Sequence, residues 1–163
     1  MAPFAAHRGK VYPLQLIKQV IAQLNNTGDY VIFLFGGGAL EIAQLDKLAS
    51  DFKGVTNMAG KLSFSQELQL ISNLDVMLAM DSGNGHLSAL YDIPVVTIWG
   101  VTHPFLGFAP FNQPNENQLL ADRTKYPLVP TSVYGSTYPD GYEKAIETIS
   151  PSAIIEKVLS VLK

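Results

Sequence analysis

The chain has 163 residues, of which 47% are hydrophobic and 15% charged, and this composition is typical of one compact globular domain with a core of ordinary size. The net charge of -3 argues against a nucleic-acid partner and an acidic membrane surface, and no apolar run reaches the roughly 18 residues that a transmembrane helix needs. There is no cysteine, and the histidines His7, His86 and His103 lack the spacing of a metal site, so neither disulfides nor a metal cofactor is expected.

Strand and helix patterns alternate along the chain. Short apolar runs, which suit parallel strands buried on both faces, are separated by segments with apolar residues at helical spacing. Pro13 suits the first turn of one helix, Ser63 and Gln66 form a capping-box pattern that begins another, and Ser150 with Pro151 begins the last. This alternation predicts an α/β fold, an open parallel sheet with helices on both faces. The predicted strands comprise residues 2–6, 30–35, 55–58, 76–80, 95–98 and 118–121.

The turn after the strand at 76–80 carries the clearest functional signal. Ser82 and Gly83 present backbone N–H groups at a helix start, where free donors and the helix dipole favour an anion such as phosphate. Asp81 would repel phosphate but can accept hydrogen bonds from hydroxyls, so the turn suggests a phosphorylated sugar. Asp81 or Ser82 can equally serve as an ordinary helix cap. The helix is expected to bury a face that carries Leu87, Leu90 and Tyr91.

Other strand ends deliver further candidates to the same edge of the sheet. Lys10, with Arg8 as a weaker candidate, follows the first strand and could neutralise a diphosphate, or could be a solvated surface lysine. The glycines at 36–38 allow a ligand to approach the backbone closely, but they also allow a tight strand-to-helix turn. His86 could donate to a phosphate or sugar oxygen, or serve as a capping or core histidine.

One motif resembles a known family signature. It reads Asp-Ser-Gly-x-x-His-Leu from residue 81, then Ile-Pro-Val at 93–95 and Gly-x-Thr-x-Pro at 100–104. This pattern resembles the family 9 glycosyltransferases, the heptosyltransferases of bacterial lipopolysaccharide assembly, and the resemblance extends over residues 3–163. It implies a GT-B fold built from Rossmann-like halves, with residues 1–163 as the C-terminal half, a single domain that binds the nucleotide-sugar donor.

The resemblance also implies roles for individual residues. Lys10 and Asp81 are the implied catalytic residues, whereas the general base is expected in an N-terminal half that residues 1–163 lack. His103 replaces an acidic residue of many relatives and is given no role, and Ala5 and Ala6 replace hydroxyl residues that would contact phosphate. The implied diphosphate ligands are Lys10, Ser82, Gly83 and His86, the sugar ligands are Asp81, His86 and Thr102, and the nucleoside ligands are Gly37, Glu41 and Leu62.

The implied reaction is transfer of a heptose-like sugar from a nucleoside diphosphate to a lipopolysaccharide or related glycan, without a metal or other cofactor. The acceptor would bind through the absent half, so the domain alone is expected to be inactive. The implied location is the cytoplasm, peripheral to the inner membrane. Two alternatives remain open: a non-catalytic module that binds a nucleotide or sugar, and a GT-B epimerase or hydrolase with an additional acid and base. The carboxylate of Glu41 also has a second explanation, since it complements the helix dipole.

Beyond Trp99 the alternation fails, and residues 104–139 form a long loop rich in Pro, Gly, Asn and Tyr. Because a GT-B cleft lies between halves, the turns around Gly36, Asp81 and Thr102 are expected to be exposed, with the loop near them or mobile. The apolar loop residues are expected to pack onto the domain's own sheet, with a partner surface as the alternative. These residues are Phe105, Leu106, Phe108 and Phe111.

Overall fold

The computed structural model describes residues 1–162. Each strand that the sequence predicts after the first one is present, with its ends shifted by at most two residues. The helices are α1 (Leu14–Asn26), α2 (Gly38–Ser50), α3 (Phe64–Ile71), α4 (Gly83–Ala89) and α5 (Pro151–Val161). The strands are β1 (Ile32–Leu34), β2 (Val55–Asn57), β3 (Met77–Met80), β4 (Val95–Trp99) and β5 (Gln118–Leu120).

The strands form two parallel ladders, β1-β2 and β3-β4-β5, which the first residues of the chain join into one sheet. The Met1 amine donates to Phe33 O of β1 at 2.7 Å, and Ala2 pairs in parallel with Ala79 of β3. The strand predicted at 2–6 is therefore wrong in length, because Pro3 has no N–H with which to continue the ladder. With this short segment as the first strand, the order β2-β1-first-β3-β4-β5 is that of a doubly wound Rossmann fold.

Both faces of the sheet are buried. On one face, Leu78 and Val96 belong to a core shared with Ile17 of α1 and Ile155 of α5. On the other face, side chains of β3 and β4 pack with residues of α3 and α4; this second cluster includes Ile71, Met77, Ala79, Ala89 and Val95. The predicted class, an open parallel sheet with helices on both faces, is confirmed.

Of the predicted apolar face of helix α4, Leu87 packs on the second cluster, whereas Leu90 and Tyr91 do not pack. The helix ends at Ala89, and Leu90 and Tyr91 lie beyond it, 70% and 43% exposed. Its buried residues include Gly85 and Ser88, and a Cβ at Gly85 would lie 3.5 Å from side-chain atoms of β3 and β4. The prediction is confirmed for Leu87 and wrong for Leu90 and Tyr91, because the helix ends before them and the small residues Gly85, Ser88 and Ala89 lie against the sheet in their place.

Two predicted helix starts are confirmed in atomic detail. Ser63 and Gln66 form a reciprocal capping box at α3, and Ser150 Oγ accepts from Ala153 N at 3.1 Å at α5. No helix within residues 1–162 is long and apolar enough to cross a membrane. The same residues contain no group of three or more His, Asp or Glu side chains placed to hold a metal ion.

Candidate functional site

The carboxyl edge of the sheet brings together Lys10, Asp81 and Thr102. Lys10 follows the first strand segment, Asp81 follows β3 directly, and Thr102 lies just after β4. The first segment and β3 are neighbours whose chains continue into helices on opposite faces, α1 and α4. In doubly wound sheets this switch point opens the crevice in which ligands bind.

One carboxylate oxygen organises the cluster. Lys10 Nζ lies 3.2 Å from Asp81 Oδ2, and Thr102 Oγ1 donates to that same oxygen at 2.8 Å. The side chains of Lys10 and Asp81 are only 12% and 8% exposed, and Thr102 is 1% exposed. Asp81 Oδ1 receives no hydrogen bond from any of the residues that the structure describes. It is therefore free to accept one from a ligand hydroxyl.

The expectation that the turns around Asp81 and Thr102 are exposed is wrong for these two residues, whereas Gly83 in the turn after β3 is exposed. Both residues are buried: Thr102 donates to Asp81, Lys10 pairs with the same carboxylate, and Gly135 of the long loop packs against Thr102 and Lys10. The turn after β1 is more open: Gly36 is half-buried and Gly37 is exposed.

Two glycines allow the Lys10 segment to cross the end of β4. Gly9 O accepts a hydrogen bond from Val101 N at 3.1 Å. A Cβ on Gly100 would collide with Gly9 O, and a Cβ on Gly9 would lie 2.6 Å from Val101 Cγ2. The backbone of the short 3₁₀ helix Arg8–Lys10 therefore lies directly on the strand end, which places Lys10 beside Asp81.

Ser82 contributes a hydroxyl that has no partner. It holds the N-cap position of α4, yet its side chain does not cap the helix, and its Oγ is buried without a hydrogen bond. A buried hydroxyl left in this state costs about 1–3 kcal/mol. Gly83 next to it is exposed, and His86 in the same helix is half-buried. The sequence thus predicted the position of this turn but not the orphaned hydroxyl.

The predicted nucleoside ligands lie at the ends of β1 and β2. Glu41 Oε2 accepts from Gly37 N at 2.8 Å, so the carboxylate caps its own helix, α2, in this structure. Leu62 is half-buried just before α3. Within residues 1–162 no hydrogen bond or ion pair joins these residues to the Lys10 cluster, so the structure does not bring them into one network with it.

His103 has a structural position. It is 3% exposed, and its Nδ1 accepts from Phe105 N at 3.2 Å, which caps the 3₁₀ helix Pro104–Leu106. Burial lowers the pKa of His103, and the charge of Arg123 lowers it further. Both effects favour the neutral imidazole that accepts this bond.

The apolar residues of the long loop do not all pack onto the sheet. Phe105 and Phe111 are 80% and 74% exposed, so that expectation is wrong for them, whereas Leu106 and Phe108 are half-buried. Other exposed apolar side chains follow β1 and β2, namely Leu40 at 81% and Phe64 at 64%. Since Leu40, Phe64 and Phe105 each follow a strand end, the carboxyl edge of the sheet carries exposed apolar surface.

The loop segment Thr131–Tyr138, which we call the strap, is not among the predicted site residues. Thr131 N donates to Val101 O at 2.9 Å, and Thr131 Oγ1 donates to Thr137 O at 2.8 Å. Thr137 N in turn donates to Ser132 Oγ at 3.2 Å. These bonds fasten one end of the strap to the end of β4 and close it into a compact loop.

The strap packs against Lys10 and Thr102 through Gly135. Gly135 is buried with a φ of +73°, and a Cβ there would lie 2.8 Å from Lys10 Cγ and 3.0 Å from Thr102 Cγ2. The ring of Tyr138 lies against Gly9 in the same way. A glycine amid Ser, Thr, Tyr and Pro does signal a turn in the sequence. Nothing in the sequence signals which residues that turn covers.

Comparison with known proteins places the chain in a family. The family profile "Glycosyltransferase family 9 (heptosyltransferase)" matches residues 1–137. The chain belongs to this family. Lipooligosaccharide heptosyltransferase 2 of Campylobacter jejuni subsp. jejuni serotype O:2 is 27% identical over 144 residues, which are 86% of this chain and 43% of the relative. Lipopolysaccharide heptosyltransferase 3 of Escherichia coli (strain K12) is 29% identical over 102 residues, which are 61% of this chain and 30% of the relative.

Solved structures of the family share the fold. E. coli ADP-heptose lps heptosyltransferase II aligns with a TM-score of 0.73 at 19% identity, over 99% of this chain and 45% of that one. E. coli heptosyltransferase WaaC with ADP aligns with a TM-score of 0.72 at 20% identity, over 98% of this chain and 42% of that one. The predicted Rossmann-like fold of a GT-B enzyme is confirmed, and the chain spans less than half the length of these relatives.

Proposed function

We propose that this chain is the C-terminal donor-binding half of a glycosyltransferase, which moves a heptose-like sugar from a nucleoside diphosphate to a lipopolysaccharide or related glycan. Membership of family 9 supports the reaction class. The observation that carries the proposal is the buried Lys10–Asp81–Thr102 cluster at the switch point of the sheet, beside the unpartnered hydroxyl of Ser82. A similar structure described with ADP supports a nucleoside diphosphate as the ligand class.

The site fits the charge that develops in such a transfer. The bond between the sugar's anomeric carbon and the diphosphate oxygen breaks, and the diphosphate leaves with growing negative charge. The Lys10 ammonium, the Ser82 hydroxyl and the Gly83 N–H stabilise that charge, with His86 as a further donor. Asp81 Oδ1 accepts a hydrogen bond from a sugar hydroxyl and orients the sugar. No step in this scheme draws on a metal.

The acceptor and the base that removes its proton belong to an N-terminal half of a longer chain. Exposed Leu40, Phe64 and Phe105 at the carboxyl edge support a second domain that packs against this edge. The enzyme would work in the cytoplasm, at the surface of the inner membrane.

Calorimetry on residues 1–163 tests donor binding. A panel of nucleoside diphosphates and their sugars is titrated into the protein, and one of them is expected to bind and to raise the melting temperature. At about 100 times its dissociation constant it stabilises the fold by about 2.7 kcal/mol.

The matched variants are Lys10→Ala and Lys53→Ala, since Lys53 is an exposed lysine in the connection that enters the opposite edge of the sheet. Lys10→Ala should weaken the diphosphate far more than the nucleoside, and Lys53→Ala should change neither. Equal effects of the two variants would contradict a diphosphate site at Lys10.

A further inference from the structure

We propose that Gly135 is a positioning residue, which holds the Lys10 ammonium in place for the donor diphosphate; this inference rests on the proposed function. The strap is remote in sequence from Lys10, and Gly135 itself offers no side chain to a ligand. Gly135 lies against the Lys10 stem and Thr102, so its effect on the donor passes through these neighbours, of which Lys10 carries the charge.

The need for positioning follows from the chemistry of lysine. Its ammonium is a point charge on a flexible four-carbon stem, unlike the rigid fork of arginine, so its location depends on what confines the stem. Here the stem is confined on one side by Gly135, while the ammonium is held by Asp81 Oδ2 at 3.2 Å. The confined lysine side chain is 12% exposed, and its ammonium lies beside Asp81, the residue that directly precedes Ser82 and Gly83.

The strap is attached at several points and can therefore confine the Lys10 side chain. Thr131 ties it to the end of β4, the same strand end that supports Gly9, and Tyr138 packs on Gly9 itself. The strap thus contacts both the backbone before Lys10 and its side chain. Because the strap and the Lys10 segment are both bonded to the end of β4, the distance between Gly135 and the Lys10 stem is held constant.

Gly135 has a matched control in the same chain. Gly135 and Gly141 both have positive φ, +73° and +84°, so alanine strains the backbone at either position. A Cβ at Gly135 would press on Lys10 Cγ and Cδ at 2.8 and 3.0 Å, whereas a Cβ at Gly141 would meet nothing within 4 Å. The Cβ at Gly135 would also lie 3.0 Å from Thr102 Cγ2, so the difference between Gly135→Ala and Gly141→Ala separates the contacts with Lys10 and Thr102 from the backbone strain, and a Lys10→Ala background separates Lys10 from Thr102.

Binding of the diphosphate and of the corresponding nucleoside is measured by calorimetry for both variants, with folding verified by circular dichroism. We expect Gly135→Ala to lower the preference for diphosphate over nucleoside about tenfold, the scale of one charged hydrogen bond, and Gly141→Ala to leave it unchanged. In a Lys10→Ala background, Gly135→Ala should cause no further loss. If Gly135→Ala does not fold, Thr131→Val replaces it, because loss of the bond to Thr137 O loosens the strap without adding bulk.

A second readout needs no ligand. The rate at which an acetylating reagent modifies the Lys10 amine, followed by peptide mass spectrometry, should rise severalfold in Gly135→Ala or Thr131→Val relative to Gly141→Ala. If no nucleoside diphosphate binds the unmodified protein, the proposed function fails while this labelling still tests the positioning. An unchanged labelling rate overturns the inference, and so does an equal loss of binding with and without Lys10.

Discussion

Replacing Thr102 by valine tests how much the hydrogen bond to Asp81 contributes. Thr102→Val keeps the shape of the side chain and removes only the donor to Asp81 Oδ2, which now accepts at 2.8 Å. Thr102 is 1% exposed, so water cannot readily replace the lost hydroxyl. A hydrogen bond to a charged group contributes about 1.5–3 kcal/mol, and we expect a loss of about 2 kcal/mol in the free energy of unfolding. For a chain of this size, that loss lowers the melting temperature by about 4–8 °C.

The matched control is Thr97→Val in β4. Thr97 is also fully buried, but its Oγ1 has no hydrogen-bond partner, so valine removes an unsatisfied group and should leave stability unchanged or raise it. Urea denaturation at pH 7 gives the free energy of unfolding for both variants. If Thr102→Val and Thr97→Val had the same effect, the bond to Asp81 would not stabilise the fold and the reasoning about the cluster would be refuted.

Two further predictions concern Tyr12 and Ser82. Burial, and secondarily the charge of Glu147, raises the pKa of Tyr12 to about 12, and its hydroxyl donates to Ile149 O at 2.6 Å. Tyr12 ionises at lower pH in the unfolded chain than in the folded one, so the free energy of unfolding should fall between about pH 10 and pH 12. In urea titrations, Tyr12→Phe should lack this part of the decline. An identical decline in the variant would contradict the assignment to Tyr12. Ser82→Ala should leave the free energy of unfolding the same or raise it, because Ser82 Oγ has no hydrogen-bond partner. Its affinity for a nucleoside diphosphate should fall about tenfold in calorimetry. A loss of stability with unchanged affinity would show that the hydroxyl stabilises the fold instead.

The strands and the class of fold could be predicted because their signals are local. The run that became β3 is wholly apolar, that of β4 is apolar except for Thr97, and every residue of both strands is buried. Helix starts at Ser63 and Ser150 depend on side chains a few residues apart, so the sequence displays them directly. For the same reason the positions of Lys10 and Asp81 at strand ends could be predicted.

Features that depend on distant contacts could not be predicted in this way. The buried face of α4 is set by its close approach to β3 and β4, which favours Gly85 and Ser88 over the more conspicuous Leu90. The contact of the strap with Lys10 and Thr102 through Gly135 joins segments that are far apart in the sequence. Hydrophobic periodicity indicates which side chains are buried, but it does not indicate which loop covers a polar cluster.

The ion pair between Lys10 and Asp81 is itself an argument for a ligand at this edge. Moving both charges out of water costs about as much as their attraction returns, so a buried pair is a weak source of stability. The triple variant Lys10→Met, Asp81→Leu and Thr102→Val replaces the cluster by apolar side chains and leaves no orphaned donor. We expect its free energy of unfolding to stay within about 1 kcal/mol of the unmodified protein, while nucleoside diphosphate binding disappears. A large loss of stability in denaturant titrations would instead show that the cluster stabilises the fold. In that case the sheet would depend on a charge pair that apolar side chains cannot replace.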